Sequence, residues 1–433
     1  MIPTIIIVCS TFLLVILSIL FFPHIKLGKI KLDTYWMIAL LGAIILLACS
    51  YAPINQVGEQ LISSSAINPL KILVLFFSMT LISIFLDELG LFRYLASVAS
   101  KNAKGKQITL FLLLYLLTSV LTVFTSNDIV ILTLTPFICF FSKRSKISPI
   151  PYLVAEFTAA NTWSLMFVIG NPTNIYLATS SGITFVEYLK VMAIPTLVAG
   201  IVELSLLLLI FHKQLKQPLQ SNDIVYPIED KVTVIVVLYV LGTCLVFLII
   251  SSFINLEMWL ISLVCAGTLL VFMLIYSCFK KSNFVHVKET GKRLPYQLIP
   301  FFLSMFVIVV ALNEQGIASK IAELLGNNNS TWVYGYSSFL ACNLINNIPM
   351  SILYTNIASS LQGVAYTKAI YASIIGSNIG AFLTPIGALA GIMFTDLVNE
   401  NNVRFTFIDF IKYGVIISIP VLTVCLGMSE LFI

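Results

Sequence analysis

The sequence predicts an all-α polytopic membrane protein built as an inverted repeat of two halves. Each half holds five transmembrane helices plus one re-entrant hairpin, with a discontinuous helix in each half. Three observations predict this. The composition is that of a chain dissolved in lipid, two apolar stretches fold back around polar tips, and the same series of polar and glycine features occurs twice in one order.

Of the 433 residues, 59% are hydrophobic and 10% charged, with a mean hydropathy of +1.02, against roughly 25% charged in ordinary soluble domains. About 20 apolar residues are needed to cross some 30 Å of hydrocarbon. Such runs occur at 2–23, 33–52, 68–86, 151–182, 191–211, 232–252, 257–279, 297–312, 369–395 and 412–431, giving ten expected crossings. The first run lacks a basic flank and a small-residue cleavage site, so it reads as a retained span. The eight cysteines stand singly in or beside apolar runs, without disulfide or metal spacing, and read as small packing residues. The three histidines, His24, His212 and His286, fall in expected connecting loops, so no metal site is predicted.

Stretches 107–141 and 331–361 each have two short apolar arms around a polar tip, "FTSND" at 124–128 and "NLINN" at 343–347. Arms of 13 to 17 residues are marginal for crossing, so both read as re-entrant hairpins, which survive at depth only where protein or a water-filled cavity surrounds them. With the N-terminus outside and each hairpin returning to its own face, the inside segments hold 20 of the 24 Lys and Arg residues. Lys71, Lys190, Lys320 and Lys368 remain outside. That bias fits the positive-inside rule and needs no nucleic-acid partner. The expected location is a bacterial cell membrane.

Without gaps, 75–102 aligns with 301–328, pairing Ser78 with Ser304, Met79 with Met305, Glu88 with Glu314 and Gly90 with Gly316. Asn127-Asp128 pairs with Asn346-Asn347, Asn161 with Asn378, Gly170 with Gly387, and "TFVEYLK" at 184–190 with "TFIDFIK" at 406–412. The matches are polar residues and glycines in one order, which marks an internal repeat. Five crossings per half is an odd number, so the halves run in opposite directions. The expected organisation is an N-terminal repeat, 1–211, a cytoplasmic linker, 212–231, and a C-terminal repeat, 232–433. The broken helices lie at 151–182 and 369–395.

The stretch "NTWSLMFVIGNPTNIYLA" at 161–178 shows what a broken helix is for. An unwound span frees carbonyl oxygens for a cation, and the half-helix that follows aims N–H groups and positive partial charge at an anion or polar solute. Pro172 and Pro385 discourage helical continuation, and Gly170 and Gly387 permit unusual backbone angles. One expected half-site therefore comprises Ser126, Asn127, Asp128, Asn161, Gly170, Asn171, Thr173 and Asn174. The other comprises Asn346, Asn347, Pro349, Ser377, Asn378, Thr384 and Gly387. An ionised Asp at a helix centre costs about 2.5–3.5 kcal/mol on the insertion scale, so Asp128 needs a cation or a proton and is the first candidate for ion coupling. Glu203 and Glu156 are further candidates for carrying a proton, whereas Glu88 and Glu314 read as interfacial. No cofactor is expected beyond Na+ or H+ as a coupling ion.

At "FLDELGLFRYLASVASKNAKGK" (85–106), Asn127-Asp128 with Thr135-Pro136, Asn346-Asn347-Ile348-Pro349, "GSNIGAFLTPIGALAGIMF" (376–394) and "GNPTN" (170–174), the chain resembles the arsenical-pump membrane protein family. That family of arsenite and antimonite permeases lies within an ion-transporter superfamily that includes citrate and dicarboxylate symporters. The resemblance implies a homodimer with scaffold and moving transport parts. It also implies export driven by a proton gradient or the membrane potential, sometimes with a separate ATPase subunit. Where the arsenite permeases tend to carry an acid, this chain has Asn378, and Asn161 at its repeat mate. An oxyanion or metalloid hydroxide is the expected solute; the alternatives are a sodium- or proton-coupled citrate or dicarboxylate transporter and a Na+/H+ antiporter. The chain has no Gly-x-x-x-x-Gly-Lys-Ser/Thr motif and no His or Cys constellation, so neither an ATPase nor a membrane enzyme is expected.

Overall fold

The computed structural model describes the whole chain except residues 28–29, 63–67, 220–225, 229, 255 and 281–283. It is helical apart from one two-stranded antiparallel hairpin, β1 (His24–Leu27) with β2 (Ile30–Asp33), which pairs His24 with Asp33.

The helices fall into two series of ten. The first opens with α1 (Ile2–Phe21), α2 (Tyr35–Ala48) and the short α3 (Ile54–Ile62). It continues with α4 (Pro69–Glu88), α5 (Leu91–Asn102), α6 (Gln107–Phe124), α7 (Asn127–Ser145), α8 (Ile150–Trp163), α9 (Pro172–Ser180) and α10 (Phe185–Leu215). The second series has α11 (Lys231–Ile254), α12 (Met258–Lys280), α13 (Val285–Arg293), α14 (Leu298–Glu314) and α15 (Ile317–Leu325). It ends with α16 (Ser330–Ile345), α17 (Asn347–Ala358), α18 (Gly363–Gly380), α19 (Leu389–Glu400) and α20 (Phe407–Ser429).

Local chemistry recurs at matching places. Helices α5 and α15 both leave a left-handed glycine, Gly90 at φ 81° and Gly316 at φ 67°, a conformation costly for any residue with a Cβ. Helices α10 and α20 both open with a capping box, Thr184 with Glu187 and Thr406 with Asp409. The backbone and hydroxyl donors of Thr184 hold the Glu187 carboxyl below its ordinary range, and Thr406 does the same for Asp409. Short 3-10 turns, Val168–Gly170 and Pro385–Gly387, separate α8 from α9 and α18 from α19. Packing is exchanged between the series: α2 lies on α14 as α12 lies on α4, and α7 lies on α19 as α17 lies on α9.

Ten crossings were expected, two of them broken, and eight helical stretches among the described residues are each long and apolar enough to cross unbroken. The stretch 33–52 contains the 14-residue α2, and 151–182 and 369–395 are each split into shorter helices. Conversely α6, expected as a hairpin arm of marginal length for crossing, has 18 residues and reaches about 27 Å at 1.5 Å per residue. The histidines lie on regular elements rather than in loops: His24 on β1, His212 in the last turn of α10 and His286 on α13. Cysteines 139, 244, 342 and 425 are buried packing residues, whereas Cys9, Cys49 and Cys278 are exposed. Glu88 ends α4 and pairs with Arg293 at 2.5 Å, while Asp87 pairs with the other guanidinium nitrogen.

In lipid, helices associate through close packing and interhelical hydrogen bonds rather than through hydrophobic expulsion from water. The α16–α18 pair shows the device. A Cβ at Gly376 would overlap Ser338 Oγ and the Gly335 carbonyl oxygen, and one at Gly380 would lie 2.9 Å from the Phe339 carbonyl oxygen and closer still to Cys342 Sγ. Replacing Gly380 by Val should therefore cost on the order of 2–3 kcal/mol through overpacking. The expected readout is a lower melting temperature in detergent, with no comparable drop for Gly267→Val, where a Cβ meets nothing within 4 Å.

Candidate functional site

The two breaks place helix starts against one another. Residues at the first turns of α7 (Asn127, Asp128), α9 (Asn171, Pro172), α17 (Asn347, Ile348) and α19 (Ala388, Leu389, Ala390) line one small cavity of about 10 Å3. That is about the volume one water needs. Each helix start carries roughly half a positive charge, so four amount to about two, set against the one carboxylate of Asp128. No Lys or Arg among the described residues lines the cavity.

The four starts are not equally satisfied. Asn171 Oδ1 caps α9 by accepting from Thr173 N at 3.1 Å, and Asn346 Oδ1 caps α17 by accepting from Ile348 N at 3.3 Å. Helix α7 has Ser126 at its N-cap with no side-chain capping bond, and α19 has Ala388, which possesses no group to cap with. No N-cap side chain therefore takes a first-turn N–H of either helix, and the Gly391 N–H turns back to the Ala388 carbonyl at 3.0 Å. Ser126 Oγ and Asn127 Oδ1 are buried without a hydrogen-bond partner among the described residues. Asp128 is half-buried on the first turn of α7. With Ser126 it also lines a larger cavity of about 380 Å3, which His24, Asp33, Lys292, Arg293 and Asp396 line as well.

An amide on α18 ties that helix to the first break. Asn378 on α18 is fully buried; its Oδ1 lies 2.8 Å from Ser164 Oγ and accepts from Asn171 Nδ2 at 3.0 Å. Its Nδ2 donates to Asn174 Oδ1 at 2.6 Å and to the Ile374 carbonyl at 2.8 Å. Beside it Ser377 Oγ donates to Thr173 Oγ1 at 3.0 Å. The site residues expected from each half thus meet in one hydrogen-bonded layer. Asn127 Nδ2 reaches Asn161 Oδ1 at 3.2 Å, tying the tip of α7 to α8.

Other expected site residues sit around this layer. Asn346 Nδ2 donates to the Ile386 carbonyl at 3.1 Å, and Pro349 is buried in the first turn of α17. Gly170 packs on the Ser164 backbone and Gly387 on Asn343 and Gly380, where a Cβ would collide. Thr384 donates to Asn343 Oδ1 at 2.6 Å and does not line the small cavity. Nor do the two glutamates: Glu156 accepts from Thr135 Oγ1 at 2.9 Å, and Glu203 Oε1 accepts from Thr158 Oγ1 at 2.8 Å.

Three contributors were absent from the expected set. Ser164 and Asn343 lie inside the motifs that flagged the site, and their polarity was the available signal. Ala388 offered none, because it contributes backbone alone. The repeat pairs Asn171, Thr173 and Asn174 with Ala388, Ala390 and Gly391, so at these positions the first half has polar side chains and the second has none.

Apolar helices of membrane-spanning length, broken in pairs around a polar centre, define a multi-pass membrane protein of the transporter class. The citrate transporter family matches residues 12–376, and the chain belongs to that family. The arsenical pump membrane protein of Escherichia coli (strain K12) is 26% identical over 82% of this chain and 85% of its own length. A putative arsenical pump membrane protein of Bacillus subtilis (strain 168) is 26% identical over 91% and 93%. Among solved structures the Alcanivorax borkumensis YdaH transporter shares the fold, with a TM-score of 0.54 at 15% identity, covering 99% of this chain and 97% of that one.

The geometry makes Asn378 a cross-brace that needs an amide. A carboxylate there would set an oxygen against Asn174 Oδ1, leaving a buried clash of acceptors worth about 1–3 kcal/mol. Asn378→Asp should accordingly lower the melting temperature at neutral pH, and sodium up to high millimolar concentration should not restore it.

Proposed function

We propose that this protein is a secondary active transporter that carries a small inorganic oxyanion or metalloid hydroxide, of the arsenite and antimonite type, by alternating access. The observation that carries the reading is the cavity bounded by four helix starts and a single carboxylate, with no cationic side chain. Helix N-termini bind oxygen-rich anions and polar hydroxyl solutes through main-chain N–H groups. The excess of partial positive charge over the one Asp128 charge suits a neutral or weakly anionic solute. The names of the relatives point the same way.

Coupling in this reading falls to Asp128. A carboxylate among apolar helices holds its charge only with a cation or takes a proton instead, so a gradient of H+ or Na+ acting on Asp128 would bias the two conformations. Glu156 and Glu203 are buried acids outside the cavity and remain secondary proposals for a proton. The repeat is proposed to be inverted, with the N-terminus outside, in a bacterial cell membrane, and the protein to work as a homodimer; a separate ATPase subunit would be an accessory.

A second reading, a citrate or dicarboxylate transporter, is favoured by the description of the family. A multiply charged solute would need more positive charge than the cavity supplies, and hence two or more cations per turnover. Uptake into proteoliposomes under imposed H+ and Na+ gradients, with arsenite, antimonite and citrate in parallel, separates the two. Arsenite or antimonite flux is expected; citrate flux with no arsenite flux would overturn the first reading. In the same assay Asp128→Asn should abolish gradient-driven accumulation, a loss of at least tenfold, as expected for a carboxylate that carries the coupling ion.

A further inference from the structure

The two largest hollows balance their charges differently. In a surface groove of about 320 Å3 the Lys71 ammonium meets the Glu257 carboxylate at 2.7 Å, one charge against one. In the cavity of about 380 Å3 that reaches Asp128, two carboxylates share one imidazole. His24 Nδ1 lies 2.6 Å from Asp33 Oδ1, and His24 Nε2 lies 3.1 Å from Asp396 Oδ2. The carboxylates sit on opposite ring nitrogens, so the trio is no cage for a single metal ion. His24 is 21% exposed and Asp396 35%, so solvent protons reach both.

An ionised carboxylate only accepts, and a neutral imidazole donates from one nitrogen while accepting at the other. A neutral ring between two carboxylates would turn a lone pair toward one of them. Only the imidazolium donates at both ends, so the bridge holds one more proton than the same three groups held apart. Its hairpin end is anchored: the Asp33 N–H donates to Gln297 Oε1 at 2.9 Å, and Thr34 Oγ1 donates to the Phe22 carbonyl at 2.6 Å. Its other end belongs to α19, whose first residues bound the polar centre two turns back, about 10 Å along the helix. The remaining ionisable groups lining this cavity, among the described residues, are Tyr35, Asp128, Lys292, Arg293 and Tyr296. Lys292 pairs with Glu289, and Arg293 with Asp87 and Glu88, so both cations are engaged away from the trio.

We propose that His24 is a proton-binding site distinct from Asp128: as an imidazolium it ties Asp396 of α19 to Asp33 of the β1–β2 hairpin, and loss of its proton lets α19 go. The sign follows from the proton count. The bridged form holds the extra proton, so it is favoured at low pH, and its ratio to the released form falls by up to about tenfold for each pH unit. What release does for the solute rests on the transport reading. Helix α19 supplies Ala388, Leu389 and Ala390 to the polar centre, so freeing Asp396 frees that wall of the site.

The test needs no knowledge of the solute. In full-length protein with the eight native cysteines replaced, spin labels are placed at Phe22→Cys and Asn399→Cys, both exposed, and their separation is measured in liposomes at about pH 6 and about pH 8, across the range in which histidines commonly change charge. A short distance is expected to dominate at the lower pH and to give way to a longer one at the higher. Asp396→Asn is the discriminating variant. Its amide can donate to the bare Nε2 of a neutral ring, so the bridge then needs no proton and the short distance should persist at both pH values. Nitrogen NMR of 15N-histidine protein carrying His212→Asn and His286→Asn reads His24 alone, and both ring nitrogens should be protonated at the lower pH. A bare ring nitrogen there, a distance indifferent to pH with the trio intact, or a pH response undiminished in folded Asp396→Asn would overturn the proposal. The predicted responses without any solute flux would instead count against the transport reading and leave the proton site standing.

Discussion

The structure depends on one constraint: backbone groups exposed by breaking a helix inside a membrane must find partners within the protein. Four helix starts are brought to one place, and their donors cannot be hydrated by lipid. Asn171 and Asn346 satisfy two of them locally. Helices α7 and α19 have no side-chain cap, and the first turns of both line a shared cavity. The fold is arranged so that this deficit is concentrated rather than scattered, and a concentrated deficit of acceptors is a binding site for something that brings oxygen atoms.

The layer under the cavity explains how such a centre holds its shape. An amide donates and accepts at once, and Asn378 uses all of that capacity on Ser164, Asn171, Asn174 and the Ile374 carbonyl. A carboxylate at the same place could accept only. The asymmetry between the halves follows: the first carries Asn171, Thr173 and Asn174, and the second meets them with Ser377 and Asn378 from α18 while its own break, Ala388 to Gly391, is bare. The polar face of the first break is thus matched by side chains of α18.

Much of this was legible in the sequence because membrane burial makes polar residues and glycines conspicuous. The paired Gly90 and Gly316 fall at two left-handed helix starts, and the paired "TFVEYLK" and "TFIDFIK" at two capping boxes. The tips at Asn127 and Asn346 fall at the α6–α7 and α16–α17 junctions. Less visible was anything carried by main chain or by geometry alone. Ala388 contributes no side-chain chemistry, and the placement of Glu156 and Glu203 away from the cavity depends on which face of α8 and α10 meets which neighbour. Hydropathy alone took 33–52 for a full crossing, whereas α2 has 14 residues, because an apolar run does not register where its helix ends. The hairpin β1–β2 escaped notice since "HIKLGKIKL" is too short and too basic to stand out from a loop.

The central claim is that the meeting point of the helix starts is where the solute binds. Crystals grown with antimonite and measured at an antimony absorption edge test it directly, since the anomalous signal locates the heavy atom without assumption. The account predicts a peak within hydrogen-bonding reach of the first turns of α7 and α19, beside Asp128. A peak confined to the groove at Lys71 and Trp259, with none beside Asp128, would contradict it.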